Sequence, residues 1–376
     1  MSSSTNNLIT NLNTASFWIN LIVPAIQITL GTVGSLFNII IFTRRSLRSN
    51  SCSLYFLAGS INNLIVIYLT FLPRYLAANW GFDPTTTNNV WCKLSNFLKY
   101  PFLALSLWFT VLASMDRFFS SSRNIQFRQL CTLPIARKII LLIILLIFLS
   151  HGHILVLFTI VPSNIISTCN TLYPQYLIFF DIFIILFSII IPIVLMTMFG
   201  TLMILNVHKV HNRIIPQTDN TVNQRFRSND RQLIIMLLSQ VLITTIISIP
   251  YCVFSMYTAI PITILQYRLS TTDQVIYIFG FNVSRLVYYN NFLIGFFIYT
   301  LTGPRFRVEC KRCIQYGFKK FLTITGLIRC LPLRTQQALL NENRVTVNMK
   351  TTTMVRGRNN VRLLQQQQST ILKSVV

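Results

Sequence analysis

Seven apolar runs, each long enough to cross a lipid bilayer as a helix, dominate the sequence. A transmembrane α-helix needs about 20 predominantly apolar residues to cross a hydrocarbon layer of about 30 Å. A membrane β-barrel would instead show alternating strands of about ten residues, and the sequence has none. Because a helix satisfies its backbone polar groups within the segment, the chain is predicted to be an all-α membrane protein, a seven-transmembrane helix bundle. The runs cover residues 17–43, 52–73, 94–115, 139–162, 176–207, 232–260 and 275–302.

The composition agrees with a membrane protein and excludes an ordinary soluble one. Hydrophobic residues make up 53% of the chain and charged residues only 11%, whereas soluble domains carry about 25% charged residues. A net charge of +24 would fit a nucleic-acid partner. The basic residues, however, lie between the apolar runs rather than on one soluble face. We therefore expect the lipid bilayer, and no nucleic acid, as a partner.

The distribution of arginine and lysine predicts the orientation in the membrane. Of the 32 basic residues, 27 lie in the C-terminal tail and in the loops after the first, third and fifth runs. Because basic residues concentrate on the cytoplasmic side, we expect a multi-pass plasma-membrane protein with its N-terminus outside. The first 17 residues carry no charge, so no cleavable signal peptide is predicted, and the first span is expected to act as its own anchor.

This organisation divides the chain into four parts. They are an extracellular N-terminus (1–16), a seven-span domain (17–302), a short amphipathic cytoplasmic helix at the membrane surface (304–320) and a basic cytoplasmic tail (321–376). The tail is poor in apolar residues and contains a glutamine run, a composition that favours disorder.

The predicted short helix places two cysteines on its apolar face. Cys310 and Cys313 share this face with Phe306 and Ile314, while basic residues lie elsewhere on the helix. A helix of this kind lies in the membrane interface, and cysteines there are candidates for reversible palmitoylation. The alternative is a fraying basic tail.

Two cysteines and a charged motif mark the third span. Cys92 and Cys169 are the only cysteines in predicted extracellular segments, where the redox environment permits a disulfide. Cys92 lies 25 residues before Arg117, which is about 37 Å along a helix, one full crossing. Arg117 stands between Asp116 and Phe118 at the inner end of this span. With its seven spans, the chain resembles a divergent member of the rhodopsin-like (class A) G-protein-coupled receptors, over residues 17 to about 320.

Several positions depart from the pattern of that family. Asn63 stands where the resemblance implies an aspartate that holds sodium with neighbours such as Ser106 and Asn291, so we expect no metal site. Ser248 replaces the usual tryptophan of span six, and residues 295–299 read GFFIY where the family has NPxxY. These differences concern the activation relay and leave the predicted fold unchanged.

Arg117 is predicted to be the centre of a conformational switch. An arginine at a membrane boundary is costly unless it is paired, and Asp116 is the adjacent partner. The resemblance implies a second partner, Asp230 at the inner end of span six, and an open state that admits a heterotrimeric G protein. The alternative is that Asp116 and Arg117 only cap the helix and reach the headgroups. The other residues that the resemblance implies for coupling are Phe118, Ile125 and Tyr299.

Three charged residues lie well inside the spans, all in the outer half where the resemblance implies a ligand site. Lys99, Asp181 and Arg285 leave this region with a net positive charge, and intramembrane charges usually face the bundle interior. Together with Tyr289, they predict a pocket for an extracellular ligand with an acidic group, either a peptide or a small molecule. The alternative is an internal Lys99–Asp181 pair, with Arg285 reaching the headgroups.

The sequence contains no nucleotide-binding loop, catalytic triad or metal motif, so neither enzyme activity nor a cofactor is expected. The resemblance implies a cell-surface receptor that activates a G protein, with arrestin as a further partner of phosphorylated threonines in the tail. The nearest alternative is a chemosensory receptor of the same fold. A transporter would show internal repeats, and a ligand-gated channel of the insect-odorant type would place the N-terminus inside.

Overall fold

The computed structural model describes residues 3–48, 50–122, 124–162, 168–211, 221–264 and 269–325, and most of these residues are helical. The helices are α1 (Ser3–Phe42), α2 (Arg45–Arg48), α3 (Ser51–Val66), α4 (Leu72–Trp80), α5 (Asn89–Ser121), α6 (Ile125–Gln129), α7 (Leu133–Ser150), α8 (His153–Leu157), α9 (Pro174–Ile185), α10 (Ile191–His211), α11 (Thr221–Tyr257), α12 (Thr271–Tyr289), α13 (Ile294–Thr302) and α14 (Pro304–Ile324).

The helices form the predicted seven-helix membrane bundle. Within the described residues, six continuous helical stretches are long and apolar enough to cross a membrane: Asn6–Phe42, Ser51–Trp80, Asn89–Ser121, Leu133–Leu157, Pro174–Asn206 and Gln232–Pro261. The seventh run is divided by a short 3₁₀ turn, Asn290–Phe292, into α12 and α13. The helix of the first span, α1, begins at Ser3, well before the start of its apolar run at residue 17. Below, the spans are numbered one to seven in chain order.

Proline accounts for local widening in the second, fifth and sixth spans. Single π-helical turns at Ile67–Phe71 and Leu186–Ile190 each end two residues before a proline, Pro73 and Pro192. The π-turn in the sixth span, Thr258–Ile264, contains Pro261. Proline lacks a backbone N–H and its ring clashes with the carbonyl four residues earlier, so the regular ladder widens at these points. The sequence did not predict the turns.

A two-stranded sheet follows the fourth span, where the sequence predicted only helix and loop. Strand β1 (Phe158–Val161) pairs antiparallel with β2 (Thr168–Thr171), and Ile160 lies opposite Cys169. Because successive strand residues point to opposite faces, this register fixes the side on which Cys169 projects.

The chain divides into two compact units after Cys310. The first unit contains the bundle and the first turns of α14. There, Phe306 is fully buried, and its ring packs near those of Phe42, Phe296 and Tyr299. The second unit begins at Lys311, and its described part is the remainder of α14 and the residue after it.

Candidate functional site

A disulfide ties the β-hairpin to the start of α5. Cys92 and Cys169 are bonded in the structure, with their Cα atoms 5.6 Å apart. The Asn96 amide, one turn along α5, donates to the Cys92 carbonyl at 2.9 Å and to the Cys169 sulfur at 3.0 Å. The hairpin is therefore held across the top of span three. We call this end of the bundle the disulfide end, and the opposite end the Arg117 end.

A cavity of about 610 Å³ opens between the spans near the disulfide end. The four residues predicted to form a ligand pocket, Lys99, Asp181, Arg285 and Tyr289, all line it. This volume falls in the range of about 300–1,000 Å³ that small-ligand sites occupy. The structure thus brings together residues from spans three, five and seven that lie far apart in the sequence.

Two further charged residues line this cavity. Arg74, near the disulfide end of span two, adds a third cation, and Asp83 adds a second carboxylate. Asp83 caps the short turn that follows it, since its carboxylate accepts from the Thr85 N–H at 3.0 Å and the Thr85 hydroxyl at 2.6 Å. The sequence contained one signal that Arg74 lines the cavity. It follows Pro73 near the end of an apolar run.

The two cations inside the spans are each held by an asparagine three residues earlier in the same helix. The Lys99 ammonium donates to the Asn96 side-chain oxygen at 2.6 Å and lies 4.6 Å from the centre of the Tyr100 ring. The Arg285 guanidinium donates to the Asn282 side chain and lies over the Phe281 ring at 5.4 Å. Asparagine accepts a hydrogen bond but carries no charge, so neither cation is neutralised by this partner.

Aromatic rings form much of the remaining wall. The rings of Tyr251 and Tyr288 stack with their centroids 4.8 Å apart, and Tyr289 stacks on Phe71 at 4.3 Å. Tyr100 packs edge-on against Phe180 at 4.9 Å. All of these except Phe71 line the cavity. Such a wall offers apolar faces and hydroxyl groups to a ligand, together with the charges described above.

A neutral polar group lies deeper in the bundle. The Ser106 hydroxyl donates to the Asn63 oxygen at 2.7 Å and accepts from the Asn62 amide at 2.6 Å. In the seventh span, the Asn291 amide donates to the Ser248 hydroxyl at 3.0 Å. This group contains no carboxylate, and the Asn63 oxygen already accepts a hydrogen bond. That no sodium ion binds here stays a prediction. Among the described residues, no cluster of three histidine, cysteine or acidic side chains could hold a metal.

At the opposite end of α5, Asp116 and Arg117 form a buried ion pair. Their charged groups approach to 2.7 Å, and only 5% and 3% of the two residues is exposed. Arg117 also donates to the Asn50 oxygen at 2.9 Å, while the Ser51 hydroxyl donates to Asp116 at 3.0 Å. Asn50 caps α3 by accepting from the Cys52 N–H. Residues at the start of span two therefore form hydrogen bonds with both members of the ion pair. The sequence did not reveal these contacts.

Cys131, which lies between α6 and α7, also contacts Asp116. Its thiol donates to the Asp116 backbone carbonyl at 3.3 Å. Burial and, next in size, the nearby Asp116 charge raise the pKa of the Cys131 thiol to about 11. The thiol therefore stays protonated and can keep donating at neutral pH.

The other predicted coupling residues lie near Arg117 or outside the described side chains. The Phe118 ring packs near those of Phe119 and Phe199, at 5.6 and 5.8 Å. Ile125, the first residue of α6, is 68% exposed. Asp230 lies within α11, but its side chain lies outside the described part of the structure.

Tyr299 connects three spans at the Arg117 end. Its hydroxyl donates to the Gln240 oxygen at 2.7 Å, and the Gln240 amide donates to the Thr110 hydroxyl at 3.3 Å. Spans seven, six and three are thereby joined through one amide side chain. The sequence did not predict that Gln240 links these spans, because a single glutamine in an apolar run does not show which helices it faces.

The candidate lipidation residues lie on α14. Cys310 is 7% exposed in the first compact unit, and Cys313 is 8% exposed in the second. Ile314, predicted to share their face, is 52% exposed. The palmitoylation of the two cysteines stays a prediction.

A bundle of seven helices with a disulfide-capped cavity at one end and a buried Asp–Arg pair at the other defines a membrane receptor. Residues 35–299 match the 7 transmembrane receptor (rhodopsin family). The match covers well over half of the chain, so the protein belongs to the rhodopsin family of seven-transmembrane receptors, which is a receptor family rather than an enzyme family. The predicted family and seven-helix fold are confirmed, whereas the location of α14 on the cytoplasmic membrane surface stays a prediction. Comparison with curated proteins yields no match.

Proposed function

We propose that this receptor lies in the plasma membrane with its N-terminus outside, binds an extracellular ligand through an acidic group, and activates a heterotrimeric G protein. The observation that carries the proposal is the placement of Lys99 and Arg285 in one cavity, each held by a neutral asparagine. Two cations that share a cavity and have only neutral hydrogen-bond partners favour an anionic ligand.

Two features support the proposed orientation. Most of the basic residues lie in the segments that follow the first, third, fifth and seventh spans in the sequence, as expected of cytoplasmic segments. The disulfide lies at the end of span three opposite Arg117, as expected of a segment that faces an oxidising environment.

Coupling to a G protein is proposed at the Arg117 end. Arg117 is bonded to Asp116 and Asn50, and release of these contacts would free its guanidinium for other partners when span six moves. Ile125 is largely exposed nearby, and exposed apolar residues beside a switch are suited to docking a partner. Arrestin is proposed as a second partner, and its candidate threonines in the tail lie outside the described residues.

The proposed ligand is a peptide or a small acid. A terminal carboxylate of either kind provides the charge that Lys99 and Arg285 would bind, and the tyrosine-lined wall accommodates an apolar remainder. Membership of a receptor family argues against the transporter and the channel. A chemosensory receptor would use the same cavity, since the two readings differ only in the source of the ligand.

Screening acidic metabolites and peptides in cells that express the receptor with a promiscuous G protein tests this function. Cells expressing Arg117→Ala at equal surface density serve as the matched control. We expect acids to give signals that depend on Arg117. A receptor that responds only to neutral or purely cationic compounds would contradict the proposed ligand class, and signals that persist without Arg117 would contradict the proposed coupling site.

A further inference from the structure

Asp181 is the carboxylate of the cavity that has no protein partner among the described residues. It lies on α9, is half-buried, and lines the cavity together with Lys99 and Arg285. The structure gives it neither a hydrogen bond nor an ion pair in the described part of the chain. A carboxylate in a partly desolvated site normally has a cationic or hydrogen-bonding partner, so a ligand that supplies one would be favoured.

Lys99 does not serve as the cationic partner of Asp181. Its ammonium is bonded to Asn96 and lies over the Tyr100 ring, and in the described structure it makes no ion pair with Asp181. Asn96 is itself buried and fixed by the Cys92 carbonyl and the Cys169 sulfur. The disulfide therefore fixes the amide that holds Lys99 on the span-three side of the cavity.

Within the described structure, none of the other charged side chains of the cavity wall bonds to Asp181. Arg285 donates to Asn282, and its Nε is buried without a partner in the described structure. Asp83 is engaged by its own turn, and Arg74 is exposed. The cavity thus has a positive pole formed by spans three and seven, and a negative pole on span five.

We propose that the ligand is dipolar. An acidic group binds at Lys99 and Arg285, and a protonated amine or a guanidinium of the same molecule binds at Asp181. This inference rests on the proposed function of the cavity and narrows its ligand class to zwitterions, such as amino acids or short peptides with a basic residue and a free carboxylate. A ligand with both charges satisfies both poles, whereas a simple acid leaves Asp181 without a partner.

A matched series of probes tests the proposal without knowledge of the natural ligand. The probes are straight-chain ω-amino carboxylic acids of graded length and the alkanoic acids that lack only the amine. Binding is measured on the purified full-length receptor as the ligand-dependent rise in melting temperature, which needs no G protein. We expect at least one amino acid to bind about tenfold or more tightly than its alkanoic counterpart, because the alkanoic acid lacks the amine that would pair with Asp181.

Substitutions at the two poles distinguish a failure of the dipolar ligand from a failure of the proposed function. Asp181→Asn should abolish the preference for the amino acid and leave alkanoic acid binding unchanged, and Asp181→Glu should restore part of the preference. Asp83→Asn is the matched control, since Asp83 lines the same cavity but is engaged by Thr85. Lys99→Gln and Arg285→Gln should weaken both kinds of probe.

Each of the following outcomes for the two probe series would overturn the dipolar ligand. They are equal binding of both series by the unaltered receptor, binding by no amino acid of any length, and a preference that survives Asp181→Asn. If acids bind and need Lys99 and Arg285, the proposed acid site stands even when the dipolar ligand fails. If binding is indifferent to Lys99 and Arg285, the acid site fails and the dipolar ligand fails with it.

Discussion

Tyr299 and Gln240 are joined by a hydrogen bond of 2.7 Å that links the seventh span to the sixth. Gln240 also donates to Thr110 on the third span, two turns from Arg117. The three side chains form what we call the clasp. It coexists with the arrangement in which Arg117 is bonded to Asp116 and Asn50, so both sets of contacts belong to the same conformation of the bundle.

We expect Gln240→Leu to raise ligand-independent G-protein activation several-fold. The substitution leaves the buried Tyr299 hydroxyl without its acceptor, which costs about 1–3 kcal/mol in this conformation, enough to shift a two-state population noticeably. Constitutive activity is measured in cells at equal surface expression. Thr110→Val removes the bond from Gln240 and the bond from the Thr110 hydroxyl to the Ser106 carbonyl but leaves Tyr299 its acceptor, so it should have a smaller effect. Basal activity that stays the same or falls in Gln240→Leu would show that the clasp does not restrain activation.

Asp230→Ala is expected to raise basal activity as well, because it removes the second proposed partner of Arg117. An ion pair at a partly hydrated boundary contributes about 1 kcal/mol or less, so the shift should be several-fold at most rather than full activation. The neighbouring Asn229→Ala provides a matched control without loss of charge. Equal basal signalling by both variants and the unaltered receptor would count against the role of Asp230.

The disulfide should be detectable in receptor taken from the cell surface. Peptide mass spectrometry under non-reducing conditions is expected to find Cys92 linked to Cys169, which are 77 residues apart in the chain. Because such a link typically stabilises a protein by about 2–5 kcal/mol, Cys92→Ser should lower the melting temperature. Detection of both thiols in unlinked form would refute the pairing.

The receptor is expected to be insensitive to sodium. The polar group around Asn63 contains no carboxylate, and Asn63 already accepts a hydrogen bond from Ser106, so a sodium ion would gain no charged ligand there. The melting temperature of the purified receptor should be the same in sodium chloride and in N-methylglucamine chloride. Asn63→Asp introduces the missing charge and tests whether the surroundings can support a site. Stabilisation of the unaltered receptor by sodium would disprove the prediction.

The sequence was sufficient to predict the spans, because crossing a membrane demands long apolar helices and leaves few alternatives. The separation of Cys92 and Arg117 further identified the two ends of span three. The position of Lys99 and Arg285 in one cavity also followed from their depth in the spans, since charges there are costly outside a polar interior.

Contacts between helices were not predictable in the same way. The bonds of Gln240 to Tyr299, and of Asn50 to Arg117, depend on the rotation of each helix about its axis, which a uniformly apolar run does not specify. Strand β1 (Phe158–Val161) was missed because its apolar residues continue the run of span four, and a short apolar segment does not distinguish strand from helix. A single sequence also does not show that Asn96 and Asn282 are the neutral partners of the two cations.

The potency of an acidic agonist on Lys99→Gln and Arg285→Gln tests the central claim, that these two cations bind the ligand. Each substitution removes one partner of a charged hydrogen bond in a desolvated site, so we expect potency to fall about tenfold or more while surface expression and melting temperature are retained. Arg74→Gln, at the exposed edge of the same cavity, should have a smaller effect. Potency that survives both Lys99→Gln and Arg285→Gln would contradict the account and indicate a pocket that recognises its ligand without these charges.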